Sequence, residues 1–394
     1  MRQKLRVVAV NLAFFLLGAL LIEVGALVLR VRPGAIDPTQ GARGGREVIA
    51  RHYFTAKDDR GFDIAPNAKP SKFTFNEGTY EIWGNKYGCL DRNESFEGDY
   101  ALLLGDSFTW GYAPYEAKWG TRLERSMGFP IAKCGVGHTG QRHQLSKGRE
   151  VVAAIGHAPK LVIVGHFWND PHDDYIYPEA TVIDGWLINT TFIEKGVIAR
   201  RTRAELETRI HDRLAQIKAD QHGLMPWIRK RSVILAGANR VLKGAGGGRD
   251  ERFGVGDTEE FESVDPAQNN AAIEAIKGWT DAIGARLFLV LIPRRDMDKD
   301  YYAKLRPLLE ERKIAYFDLY APTLALPDHG KSLYWKYDPH WNPEGDRFAA
   351  EILDREIKRR FGALLNPSAT PSATPSATPS ATPAAPSTSA SAHP

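Results

Sequence analysis

The sequence predicts an α/β fold: a parallel sheet flanked by helices, with a helical insertion and an N-terminal membrane-spanning helix. Three observations predict it. Short apolar runs rich in β-branched residues recur along the chain and end at Gly, Pro or polar blocks. Segments of helical period separate them. One long, almost purely apolar stretch stands near the N-terminus.

The elements follow in chain order. Residues 7–29, VVAVNLAFFLLGALLIEVGALVL, are broken only by Asn11 and Glu23, with Arg2, Lys4 and Arg6 before them and Arg30 and Arg32 after. At about 1.5 Å per residue this helix covers a hydrocarbon core of about 30 Å. It lacks the polar face of a core helix. No A-x-A cleavage site follows, which favours an uncleaved anchor over a signal peptide. The expected arrangement is a single-pass membrane protein with its main domain outside the cytoplasm, at a bacterial inner membrane and in the periplasm. Glu23, near the far end of the span, is a contact point for a partner helix or the interface.

Residues 1–32 thus read as stub and anchor, and 33–50, rich in Gly, Pro and Arg, as a linker. The main domain is expected over 51–364. Its strands are YALLLG (100–105), PIAKCGVG (130–137), KLVIVGHF (160–167), ARLFLVLIP (285–293) and IAYFDLY (314–320). Such runs fit strands buried on both faces of a parallel sheet. QLSKGREVVAAIG and NNAAIEAIKGWTDAIG supply helices between them. Residues 175–262 break the rhythm and read as a helical and Gly-rich insertion, its helix the charged IARRTRAELETRIHDRLAQIKADQHG. The glycine run KGAGGGRDERFGVG has no Lys-Ser/Thr after it and is no phosphate-binding loop. Residues 365–394 carry Pro every fourth position with Ser, Ala and Thr, the pattern of an extended, disordered spacer.

Composition narrows the function. The 394 residues are 43% hydrophobic and 25% charged, with a net charge of +4. No basic run interleaved with aromatics marks a nucleic-acid groove, and no nucleic-acid partner is expected. Cys89 and Cys134 have neither CxxC nor zinc spacing. Two buried thiols are favoured over a disulfide between them.

Four blocks fall at or after strand ends: Gly105-Asp106-Ser107, CGVGHTG (134–140), FWND (167–170) and YDPHWNPEG (337–345). Loops beyond the carboxyl ends of parallel strands gather at one edge. Brought together, these residues form a kit for acyl transfer. Ser107 is the candidate nucleophile, His340 its base, and Asp338 the group that orients the imidazole. The Ser107 amide, an amide of the second block (Gly137 first, with Gly135 and His138 as alternatives) and the Asn169 side chain are candidate oxyanion donors. Arg294, with Arg295 as its alternative, and Trp341 are candidate substrate contacts, and Trp110 and Tyr112 flank the blocks as stacking or packing aromatics. His172, Asp173 and Asp174 read as a solvated loop rather than a metal site.

These blocks resemble those of the SGNH, or GDSL-type, hydrolase superfamily: Gly-Asp-Ser at 105–107, a glycine block at 134–140, Asn-Asp at 169–170, and Asp and His in the last block. The resemblance spans about residues 95–360 outside the insertion. It implies a flavodoxin-like three-layer fold and ester chemistry through an acyl-serine, with no cofactor or metal. The last block reads D-P-H-W instead of the usual D-x-x-H. That version is similar to members linked to bacterial polysaccharide O-acetylation, which implies acyl esters of a carbohydrate or cell-surface polymer as substrate. A non-catalytic polysaccharide-binding or assembly protein and a lipase-like esterase are the alternatives. The charged insertion speaks against the lipase, and the complete Ser-Asp-His set against the scaffold. A membrane-protein partner is not specified by the sequence.

Overall fold

The structure, a computed structural model, describes residues 2–29, 31, 49–75, 77–92, 96–194, 197–221, 228, 232–235, 237–238, 267–295, 300–336 and 338–365. Residues 33–48 of the expected linker, the glycine run 243–256 and residues 366–394 of the expected tail lie outside the described residues.

Five parallel strands form the central sheet: β5 (Ala101–Gly105), β6 (Ile131–Lys133), β7 (Leu161–His166), β12 (Arg286–Leu291) and β13 (Ala315–Asp318). Their spatial order is β6-β5-β7-β12-β13. Counting along the chain, this is the 2-1-3-4-5 order of doubly wound folds, whose switch point lies between the first and third strands. The five runs expected from sequence are these five strands.

Side chains alternate between the two faces, as the period of a strand requires. Leu103, Ile163, Phe288 and Val290 pack with Leu123 of α3 (Trp119–Met127) and with Leu353 and Ile357 of α10 (Pro343–Leu365). Leu102, Leu104, Val162, Val164 and Leu289 pack with Leu145 and Val151 of α4 (Gln141–Ile155). Ile273 and Ile276 of α7 (Ala267–Ala282) complete that side. Burial on both faces explains why these strands read as unbroken apolar runs.

Before the sheet come two antiparallel hairpins that the sequence did not reveal. One pairs β1 (Phe54–Lys57) with β2 (Gly61–Ile64), the other β3 (Ser71–Thr74) with β4 (Thr79–Ile82). Their aromatics form a third core with Trp110, Tyr112 and Val136, directly over the turn after β5. A buried charge network ties the first hairpin to α4. Asp63 accepts from Arg60 Nη2 at 2.6 Å and from Lys147 Nζ at 2.9 Å. Burial alone raises the Asp63 carboxyl. Lys147, His143 and Arg60 reverse this and hold it below its ordinary value. Removing one partner of such a buried set strands the others. Asp63→Ala is therefore expected to lower unfolding stability by about 3–5 kcal/mol, read as a fall in the urea midpoint.

One expectation is extended and one corrected here. The insertion holds its expected charged helix, α6 (Arg203–Gln221), and ahead of it two hairpins: β8 (Ala180–Ile183) pairs with β9 (Trp186–Asn189), and β10 (Thr191–Glu194) with β11 (Val197–Arg200). Four-residue strands are too short to show a period in sequence. Cys89 and Cys134 are not free thiols but a disulfide, their Cα atoms 4.6 Å apart. The segment before β5 and the end of β6 meet there, which brings the two sulfurs together across a sequence separation of 45.

The apolar helix α1 runs Arg2–Val28. Its window Arg6–Val28 is long and apolar enough to cross a membrane, and none of that window is buried against the rest of the chain. Glu23 accepts hydrogen bonds from the amides of Val233 (3.1 Å) and Ile234 (3.0 Å) in the insertion. The carboxylate expected to meet a partner helix is occupied by the chain itself.

Candidate active site

The site stands at the carboxyl ends of β5 and β7, on either side of the switch point. Leaving β5, Gly105 adopts φ +152, and a Cβ there would lie 2.0 Å from Thr109 Oγ1. Only glycine fits, which is the physical content of the first block. Asp106 then caps α2 (Ser107–Trp110) by accepting the Phe108 amide at 2.9 Å. Ser107 is the first residue of that turn.

The last block reaches Ser107 from the loop before α10. His340 Nε2 lies 2.8 Å from Ser107 Oγ, and His340 Nδ1 lies 2.6 Å from Asp338 Oδ1. The same Asp338 oxygen accepts the His340 amide at 2.9 Å. Ser107 and a pair of side chains more than 230 residues away thus form one hydrogen-bonded chain: hydroxyl, imidazole, carboxylate. Asp338 fixes the tautomer in which Nδ1 carries the proton and Nε2 faces the hydroxyl.

Three neighbours hold this loop, and of these sequence reasoning missed Glu77 and the positioning role of the other two. Glu77, in the β3–β4 turn, accepts the amides of Lys336 (2.8 Å) and Asp338 (3.1 Å). Arg295 Nη1 donates to the carbonyls of Trp335 (3.0 Å) and Lys336 (2.8 Å). Tyr112 stacks on the His340 ring, centroids 3.7 Å apart and planes 5° from parallel. Of the flanking aromatics, Tyr112 and Trp110 are buried packing residues.

The oxyanion candidates lie around the same point. Gly137 is half-buried, and a Cβ built on it would face Ser107 Cβ at 3.8 Å. Gly135 serves differently: its Cβ would strike Trp110 N at 2.5 Å, so it lets the second block close on α2. Asn169 precedes α5 (Asp170–Tyr175), and its amide nitrogen donates to Asp173 Oδ2 at 2.8 Å. That bond uses one of two N–H groups and orients the other. Among the described hydrogen bonds, Asn169 makes none to Ser107 or His340.

Two buried acids stand behind Ser107. Burial raises the Asp106 carboxyl well above its ordinary value, and the nearby Asp170 charge adds to it. Burial likewise raises Asp170.

Two site assignments change. Trp341 is 3% exposed and packs edge-on against Phe108 at 5.3 Å, so it is a core residue rather than a substrate contact. Its ring is drawn inward because Trp341 pairs in a β-bridge with Tyr334. His172, Asp173 and Asp174 are not a solvated loop. They are buried in α5, where Asp174 accepts the Arg142 amide at 2.8 Å and Asn269 Nδ2 at 2.9 Å. Among the described residues, no group of three His, Cys, Asp or Glu is placed to hold a metal ion. Arg294 is half-buried, with the ring of Trp168 at 4.1 Å and that of Tyr301 at 4.8 Å.

With this geometry in place, comparison with known families is informative at one end of the chain. Residues 289–383 match the family described as the SGNH hydrolase-like domain of the acetyltransferase AlgX. The chain resembles the SGNH hydrolases. The matched stretch contains Asp338 and His340 and stops short of Ser107, which stands far upstream. Solved structures with similar outlines include a catalytic mutant of Axe2, an acetylxylan esterase from Geobacillus stearothermophilus. It is 12% identical over 66% of this chain and 94% of that one, with a TM-score of 0.37. The esterase EstA from a Pseudoalteromonas species is 10% identical over 67% and 100%, with a TM-score of 0.36. A GDSL-like lipase from Bacteroides thetaiotaomicron is 12% identical over 66% and 88%, with a TM-score of 0.31. At such scores these likenesses carry no weight for activity or substrate. No curated protein matches the chain in sequence.

Proposed function

We propose that the chain is a serine-dependent esterase or O-acyltransferase of the SGNH type. Its substrates are acyl esters, foremost acetyl esters, of a carbohydrate or cell-surface polymer. The observation that carries this reading is the relay from Ser107 Oγ to His340 Nε2 (2.8 Å) and from His340 Nδ1 to Asp338 (2.6 Å). In the first half-reaction Ser107 Oγ attacks the ester carbonyl while its proton passes to His340 Nε2. The tetrahedral oxyanion is held by the amides of Ser107 and Gly137 and the free Asn169 N–H. Collapse breaks the ester bond, and His340 returns the proton to the departing alcohol. In the second half, His340 takes a proton from water or from a sugar hydroxyl. That oxygen attacks the acyl-serine, and Ser107 recovers its hydrogen. Water makes the protein a hydrolase and a sugar hydroxyl makes it a transferase. The machinery uses no cofactor. Arg294, beside the Asn169 block and framed by two rings, is the proposed substrate contact.

We place the catalytic domain at 51–364, on the far side of a membrane held by α1. The Cys89–Cys134 bond supports this placement, because disulfides persist in oxidising compartments. The test uses the full chain in detergent with p-nitrophenyl acetate, quenched in acid during turnover and digested. The expected result is one acetyl group on the peptide containing Ser107. Turnover with the label on another residue, or no turnover with or without an added sugar acceptor, sinks the proposal.

A further inference from the structure

A charge lies buried beneath the nucleophile turn, and the chemistry above does not use it. Lys118, just before α3, is 4% exposed. Its Nζ donates to the carbonyl of Trp110 at 2.6 Å and to that of Gly111. These carbonyls close the turn whose first residue is Ser107. Gly111 sits at φ +81, and a Cβ there would press on Lys118 Cγ and Nζ at 3.2 Å. The lysine therefore fills the space that this glycine leaves. The rings of Trp110 and Tyr80 lie 4.9 and 5.2 Å from the ammonium, and Tyr80 Oη also donates to the Gly111 carbonyl at 3.1 Å.

The opposite charge comes from the other catalytic segment. Asp346 is in the first turn of α10, six residues after His340. It is buried, and its Oδ1 accepts the Trp119 amide at 2.9 Å. Among the described residues its Oδ2 has no hydrogen-bond partner. Taking an ammonium and a carboxylate out of water costs several kcal/mol per ion. Apolar side chains of the same size would fill these two places without that cost. What an apolar pair lacks is a donor that reaches two backbone carbonyls at the end of α2.

We propose that Lys118 and Asp346 are positioning residues for the serine reaction: Lys118 sets the turn that presents Ser107, and Asp346 couples that turn to the helix that follows the His340 loop. The inference rests on the serine reading above. Burial lowers Lys118 from its ordinary value, against the pull of Asp346, and burial raises Asp346. The other groups facing the couple are Arg122 on α3 and Tyr80 on β4. The ammonium is thus lost as pH rises through neutrality, and its hold on the two carbonyls weakens with it.

The experiment measures the rate at which a fluorophosphonate labels Ser107 in the full chain in detergent, from acid to alkaline pH. In this step Ser107 Oγ bonds to phosphorus, fluoride leaves, and His340 takes the proton, so no natural substrate is needed. Lys118→Met alone removes the positive charge that acts on the buried Asp346, so the decisive variant is the double replacement Lys118→Met with Asp346→Asn. It is expected to melt close to wild type, to label about 10- to 100-fold more slowly, and to lose the alkaline fall-off. A double variant that labels at the wild-type rate with the wild-type pH profile overturns the inference alone. A wild-type chain that is not labelled overturns the serine reading and this inference with it.

Discussion

Ser107→Ala is expected to lower kcat for p-nitrophenyl acetate by roughly 10⁵- to 10⁶-fold, with KM little changed. The substitution removes one oxygen. Apart from His340, the only partner described for that oxygen is Asp106 Oδ2 at 3.4 Å, a marginal contact. The fold has little to lose, and a loss of activity reads as a loss of the nucleophile. His340→Ala is expected to fall by a similar factor, and the double variant no further than either single one. Groups that act as one unit fail together, so their effects do not add. Steady-state kinetics on the three variants checks this. A double variant far below both singles would mean that Ser107 and His340 act in separate steps, and the 2.8 Å contact between them would lose its meaning. Retained activity in Ser107→Ala would move the nucleophile elsewhere.

What the sequence made legible follows from burial. β5, β7 and β12 lie inside the sheet with both faces covered, so selection on packing leaves continuous apolar runs that announce themselves. The blocks after them were legible because sharp exits from such strands need special residues, Gly105 above all. The hairpins β1 to β4 and β8 to β11 were not legible. Each strand is four residues long, and their aromatics are held by partners far away in sequence. Asp173 and Asp174 misled because two adjacent acids usually mean solvent. Here Asn169, Arg142 and Asn269, from three segments, satisfy them inside the protein. Trp341 misled in the opposite sense: its neighbour His340 faces the site, and the chain alternates, so the tryptophan points into the core. Lys118 and Tyr112 carry no motif at all. Their roles exist only once α2 and the His340 loop are brought together.

Asp338→Asn tests the relay at its far end, where the effect should be nearly as large, about 10⁴-fold in kcat with KM preserved. A single oxygen, Oδ1, accepts from both the backbone amide and Nδ1 of His340. An asparagine in this place keeps its shape but not its charge. If its NH₂ group faces the ring, it requires Nδ1 as an acceptor, so the proton moves to Nε2 and the lone pair that should take the Ser107 hydrogen is gone. If its carbonyl faces the ring, the tautomer survives, yet the imidazolium formed in the reaction has no carboxylate beside it. Either way the barrier rises while the binding surface is untouched. The ring itself should stay where it is, because Tyr112 lies flat on one face of it and Phe108 stands at 4.9 Å. A structure of the variant with an unmoved ring, together with the loss in kcat, separates proton control from displacement. A loss smaller than about tenfold would mean that stacking rather than Asp338 orients His340. Tyr112→Ala would then become the variant that silences Ser107.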